Sequence, residues 1–309
     1  MNRRDLLQMS AALGIGTSLS GATLATTGVI AGAQAMAAPG QSEQAVKPLP
    51  VPPDGNIPVA FLISEGAVLI DFVGPWEVFG NVMVSGPTPH PFRQYTVAES
   101  LSPVRAGGGM IITPQYTLAT APAPKVIVIP AQNPPTDAVL AWIRRAAQTA
   151  DFTMSVCTGA YLLAQTGLLS GKEATTHHSA FKDFAMNFPD VRLQRGARFV
   201  DLGNVASSGG LSSGMDLALH VVQRYFGRDV ATATAYQLEY QGQGWLDPNS
   251  NAVYAQRRVS TDAHPLCAVC EMDVDKATAP RSTFHGKTYY FCEASHKAQF
   301  DSNPEPFVS

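Results

Sequence analysis

The stretch FTMSVCTGAYLLAQTG, residues 152–167, passes from an apolar, β-branched segment into Cys157 and then into small residues and a helical Leu pattern. Residues 152–156 suit a buried strand, and GAYLLAQTGLLSG suits a helix that stops at glycine. A side chain at such a strand-to-helix turn is lifted out of the sheet, and the first N–H groups of the helix face whatever that side chain attacks. The positive helix end is expected to lower the thiol pKa. On this stretch alone Cys157 reads equally as a nucleophile or as a small buried hydrophobe.

Outward from the cysteine, strand and helix alternate. PVAFLIS (58–64), FRQYTVA (92–98) and KVIVIP (125–130) read as strands. GPWEVFGNVMV (74–84) reads as a helix starting at Pro75, and TDAVLAWIRRAAQTA (136–150) as an amphipathic helix capped by Thr136 or Asp137. KEATTH reads as a strand and FVDLGNVASSGG as a hairpin. LSSGMDLALHVVQRYFG (211–227) places Leu211, Met215, Leu219, Val222 and Phe226 on one helical face. This order predicts an α/β fold, an open and mainly parallel sheet with helices on both faces and ligands at the carboxyl ends of the strands.

The flanks differ in character. Residues 1–37 carry Arg3 and Arg4 before a weakly apolar run ending in small residues, which predicts a cleaved signal peptide resembling the twin-arginine type and a periplasmic protein with no membrane span after cleavage. Residues 38–57 and 242–262 read as linkers around a domain at 58–241, and 263–309 as a small second domain. A net charge of −3 and the lack of a basic run argue against nucleic acid as a partner.

In the last segment Cys267-x2-Cys270 and Cys292-x3-His296 form two close pairs, the spacing of a tetrahedral metal site holding zinc or copper. An exported chain also meets oxidising surroundings, so a disulfide is the competing reading. The segment resembles a YHS domain through CEMDVD and FHGKTYYFCEASHK, and His285 is a candidate alternate ligand.

LISEGAVLIDFVGPWEVF, VIVIP, SVCTGAYLLAQTGLLSGKEATTHH and GNVASSGGLSSGMDLALHVVQRYFG together resemble the ThiJ/PfpI superfamily of class I glutamine amidotransferase-like folds. Within it, the Cys-Thr-Gly-Ala and DFVGPWEVF forms are most similar to isonitrile hydratase and to the amidase-like domain of AraC-type regulators. The resemblance implies a Cys-dependent hydratase or hydrolase acting on a small carbon–nitrogen or carbonyl substrate, without a cofactor in this domain, as a homodimer. A non-catalytic sensory or binding protein, or an oxidative-stress protein using an oxidisable Cys157, is the alternative. It implies Cys157 as nucleophile, Asp71 as the acid beside the sulfur, Thr158 as an oxyanion-hole donor and His177 as a base or water-orienting group. Ala131-Gln132 stands where many relatives have Gly-Gly, so these residues and Gly159 are expected to face the substrate oxygen, with Gln132 offering its amide.

Overall fold

A computed structural model describes residues 47–256 and 258–308. The expected signal peptide and residues 38–46 of the first linker lie outside the described residues, while Leu49 in the remainder of that linker is buried and its N–H donates to the Arg224 carbonyl (2.8 Å). Among the described residues no helix is long and apolar enough to cross a membrane.

The main sheet is built from β1 (Ile57–Leu62), β2 (Phe92–Ala98), β3 (Tyr116–Thr117), β4 (Val126–Ile129), β5 (Phe152–Val156), β6 (Phe199–Asp201) and β7 (Val205–Ser208). Its order is β6-β7-β5-β4-β1-β2-β3, and only the β6–β7 hairpin is antiparallel. The central strands β4 and β5 are buried at every residue, in keeping with runs that are apolar or β-branched at every position but Ser155 and with a sheet covered on both faces. The chain steps outward from β1 to β2, then returns to place β4 on the other side of β1. That reversal opens a crevice at the carboxyl ends of β1 and β4, beside the end of β5.

The helices are α1 (Leu69–Gly80), α2 (Asp137–Ala146), α3 (Gly159–Gln165), α4 (Phe181–Asn187), α5 (Ser213–Phe226) and α6 (Arg228–Gln237). Thr136 caps α2 by accepting from the Val139 N–H, as its sequence predicts. Helix α1 departs from expectation: it starts at Leu69 and carries Pro75 in its interior. The cause lies outside the segment, because the Val68 N–H donates to the Ala131 carbonyl (2.8 Å) and the Ala131 N–H donates to Asp71 Oδ2 (3.1 Å). These two bonds fasten the first turn of α1 to the end of β4. KEATTH also falls short of a full strand, since only Glu173–Ala174 pairs, with Arg192–Leu193 and apart from the main sheet. Leu211 lies outside α5, exposed and with φ 55°.

The segment expected to be a linker after residue 241 is folded onto the domain over its first half. Trp245 is buried, its N–H donates to Asp216 Oδ1 (2.9 Å), and the Arg198 N–H donates to the Pro248 carbonyl (2.6 Å). Beyond it, β8 (Arg281–Phe284) and β9 (Lys287–Tyr290) form a hairpin, followed by α7 (Ala294–Ser302). Their core is small, centred on Val269, Phe291, Phe300 and Phe307. Lys182 on α4 meets this module, donating to the carbonyls of Ala268 (3.1 Å) and Phe307 (3.5 Å).

A candidate active site at Cys157 and a candidate metal centre

Cys157 sits at the turn between β5 and α3 with φ 60°, a left-handed conformation that costs a non-glycine residue about 1–2 kcal/mol. Three bonds hold it there. Its N–H donates to the Gly209 carbonyl (3.0 Å), and its carbonyl accepts from Thr176 Oγ1 (3.0 Å) and the Ala160 N–H (3.3 Å). Strain enforced by surroundings in this way is the mark of a built site.

Asp71, carried in by α1, is fully buried. Its Oδ2 accepts from Ala131, whereas Oδ1 has no hydrogen-bond partner of good geometry among the described residues. Burial raises the Asp71 pKa to about 6, against the opposing pull of the Ala131 N–H, the Cys157 thiol and the Leu211 N–H. Burial, and next the Asp71 charge, push the Cys157 thiol up to about 12, while the N–H groups of Thr158 and Leu211 pull it down. The expected low thiol pKa is therefore corrected: desolvation and a neighbouring carboxylate outweigh a helix terminus on a helix of seven residues. Near neutral pH the pair holds one proton on sulfur and leaves a largely ionised carboxylate beside it.

The other expected site residues divide. Thr158, half-buried, sends its N–H toward the sulfur, where it lowers the thiol pKa. Ala131 does not offer its N–H to a substrate, because Asp71 holds it. Gln132 donates from Nε2 to the Leu62 carbonyl (3.3 Å), beside a cavity of about 30 Å³ whose lining does not include Cys157. Gly159 serves the close approach of α3 to β4: a Cβ there would lie 2.2 Å from the Ile129 carbonyl oxygen and 2.8 Å from that of Pro130. Gly159→Ala is accordingly expected to destabilise the protein by about 3 kcal/mol or to prevent folding, read from urea unfolding.

His177 is near the site without being bonded to Cys157. Its ring lies against Gly210, where a Cβ would come within 1.9 Å of Cδ2. Nδ1 accepts from the Ser179 N–H (3.2 Å) and meets Ser179 Oγ at 2.7 Å, so the ring proton resides on Nε2. Burial lowers its pKa to about 4, which keeps the ring neutral near pH 7. Sequence reasoning missed Leu211 and Thr176. The run SSGGL did mark a loop beside the cysteine, but nothing local in it announces a left-handed leucine.

In the C-terminal module Cys267, Cys270, Cys292 and His296 bring their ligand atoms within 4.8 Å of one another. Cys270 Sγ lies 3.6 Å from Cys292 Sγ, and His296 Nδ1 lies 3.6 Å from Cys267 Sγ and 3.2 Å from Cys292 Sγ. Zinc–sulfur bonds of about 2.3 Å around a tetrahedral centre imply sulfur–sulfur edges of about 3.8 Å, so the residues fit a metal. A disulfide, with sulfurs about 2.05 Å apart, does not match the Cys270–Cys292 separation, and the four cysteines are free thiols. His296 Nε2 faces Glu293 (3.4 Å), the kind of outer partner that orients a ligating imidazole. His285 stands apart, exposed in the β8–β9 turn with φ 50°.

A cysteine raised on a strained strand-to-helix turn, met by a buried acid from the first strand's helix at the carboxyl edge of a parallel sheet, defines a DJ-1/PfpI-type site. The DJ-1/PfpI family profile matches residues 58–224, and the chain belongs to that family. It is 32% identical to the isonitrile hydratase of Pseudomonas putida over 187 residues, covering 59% of this chain and 78% of that protein. It is 27% identical to the HTH-type transcriptional regulator GbdR of Pseudomonas aeruginosa, covering 62% of this chain but only 53% of the regulator. A solved ThiJ/PfpI family protein from Pseudomonas syringae superposes with a TM-score of 0.52 at 27% identity, covering 69% of this chain and 84% of that one.

Proposed function

We propose that the chain is a Cys-dependent hydratase acting on small carbon–nitrogen multiple bonds, isonitriles first among them. The observation that carries this is the buried Asp71 carboxyl with a free oxygen beside the Cys157 thiol, a pair that holds one transferable proton. Asp71 takes the thiol proton as sulfur attacks the isonitrile carbon, then delivers it to that carbon. This gives a thioimidate, R–N=CH–S–Cys. Water adds to the same carbon, a proton passes to nitrogen, and the carbon–sulfur bond breaks to release the N-substituted formamide and the thiol. One water is consumed, and no oxidant or cofactor is needed. The N–H groups of Thr158 and Leu211 favour negative charge on sulfur during attack.

The C-terminal module we read as a YHS-like domain holding zinc or copper on Cys267, Cys270, Cys292 and His296, the group supplying a structural cross-link. Export by the twin-arginine route to the periplasm and assembly as a homodimer belong to the same proposal. A non-catalytic sensory role is favoured by one feature: Asp71 already holds the Ala131 N–H that an oxyanion hole would use.

The deciding assay incubates the full chain with methyl isocyanide and follows N-methylformamide by NMR, with nitriles and amides as parallel substrates. Turnover that disappears in Cys157→Ala supports the hydratase. Tight binding of these compounds without turnover supports the sensory reading and rejects the enzyme.

A further inference from the structure

Leu211 lies between β7 and α5 with φ 55°, a left-handed conformation disfavoured for a leucine, and its side chain is 44% exposed. Its N–H addresses both the Cys157 thiol and the Asp71 carboxyl. What the strained turn delivers is therefore a backbone donor, with the side chain left largely in solvent.

The turn is held by Arg198, just ahead of β6. The Arg198 carbonyl accepts from the Gly209 N–H (2.9 Å), and the Gly209 carbonyl in turn accepts from the Cys157 N–H (3.0 Å). The Arg198 guanidinium donates from Nη2 to Ser212 Oγ (2.9 Å). Arg198 thus grips the chain on both sides of Leu211, at Gly209 through the backbone and at Ser212 through the side chain. Its guanidinium is aimed by further partners: Nε donates to Asp216 Oδ2 (2.6 Å) and Nη1 to Asn251 Oδ1 (3.1 Å). Asp216 is fully buried and accepts also from the Tyr240 hydroxyl (3.0 Å) and the Trp245 N–H (2.9 Å). Tyr240, Trp245 and Asn251 all follow residue 224, where the family match ends.

We propose that Arg198 is a positioning residue of the Cys157 site: by clamping Gly209 and Ser212 it holds the Leu211 N–H on the reacting sulfur. Arg198 acts through the turn and takes no part in the proton transfers. A buried ion pair such as Arg198–Asp216 adds little net stability over an apolar pair of the same shape, whereas the planar guanidinium fork fixes direction. Ser212 is where that direction passes to the turn.

The proposal rests on Cys157 as the reacting group, and its test reads the thiol rather than turnover. Iodoacetamide alkylation of the full-length protein in the presence of zinc is followed across pH on the Cys157 peptide by mass spectrometry, which keeps the cluster cysteines apart. Asp71, the charged group that shares in this profile, is intact in every variant. Ser212→Ala leaves the Arg198–Asp216 pair whole. It is expected to lower the Cys157 rate at pH 8 by about two- to tenfold, the worth of one hydrogen bond, and to displace the profile to higher pH. Arg198→Lys keeps a charge for Asp216 but loses the fork, and should displace the profile in the same direction. Ser212→Thr retains the hydroxyl and should keep the wild-type profile. A role confined to stability would lower the urea midpoint and leave the profile in place. That result, a shift to lower pH, or an equal shift in Ser212→Thr overturns the clamp. Failure of the wild type to hydrate methyl isocyanide, with these shifts as expected, rejects the hydratase alone.

Discussion

Asp71→Asn is expected to lower isonitrile hydration by about 10²- to 10⁴-fold, the range that a positioned proton donor and acceptor contributes, while making the protein more stable at neutral pH. The two effects share one origin. Asn keeps an oxygen for the Ala131 N–H but cannot take the thiol proton, so attack by a thiol that burial still pushes upward stalls. For stability the sign follows from the direction of the shift. Burial raises the Asp71 pKa from 3.8 to about 6, so the folded state favours the protonated acid. Relative to the ionised form, that preference is fully present below about pH 4 and is lost as pH rises through 6. Above pH 7 the wild type therefore holds an ionised, desolvated carboxylate at a cost of up to about 3 kcal/mol, from about 1.4 kcal/mol per pKa unit. Urea unfolding at pH 8 should show Asp71→Asn as the more stable protein, with the difference shrinking toward pH 4. In the wild type, kcat/KM should rise with pH through about 6 as Asp71 becomes the base. A wild type more stable than Asp71→Asn at pH 8 contradicts the assignment of Asp71 as a strained, functional acid.

How far the site could be read in advance depends on whether a residue's role is local. The strands at 126–129 and 152–156 and the position of Cys157 follow from short apolar runs and the small residues after them, and these are properties of adjacent residues. Asp71 came into view only through resemblance, because in isolation an Asp before Gly-Pro reads as a cap or a surface charge. The start of α1 was missed for a related reason. Pro75 signals a first helical turn locally, but the bonds from Val68 and Asp71 to Ala131, sixty residues away from Asp71, begin the helix six residues earlier than Pro75. The same pairing removed Ala131 from the expected oxyanion hole. Asn251 lay in a segment without periodicity, and its bond from Arg198 is a tertiary contact that no spacing rule contains.

Stripping the metal proposed for the Cys267, Cys270, Cys292 and His296 cluster should unfold the C-terminal module and leave the sheet domain standing. The module's hydrophobic core is limited to a few aromatic and aliphatic side chains around the cysteines, too little to offset the entropy of ordering its chain. A structural zinc in a comparable small fold contributes about 10–16 kcal/mol of apparent binding energy, enough to decide between folded and unfolded. The sheet domain draws on separate and larger clusters on both faces of its central strands and does not need this contribution. Hydrogen exchange read by mass spectrometry, before and after a chelator, is expected to show β8, β9 and α7 losing protection by several orders of magnitude while β1, β4 and β5 keep theirs. His296→Ala should reproduce the chelated pattern, since it removes the ligand closest to Cys292. The contacts of Lys182 with Ala268 and Phe307, and of Gln299 with Asp183 (3.5 Å), would be released with the module. Because Asp183 also accepts from Tyr161 (2.6 Å), four residues after Cys157, chelation should leave a measurable change in exchange at the start of α3 as well. Full protection of β8 and β9 in the metal-free protein would instead mean that packing against α4 is sufficient to hold the module, and that the four ligands serve exchange of the metal rather than the fold.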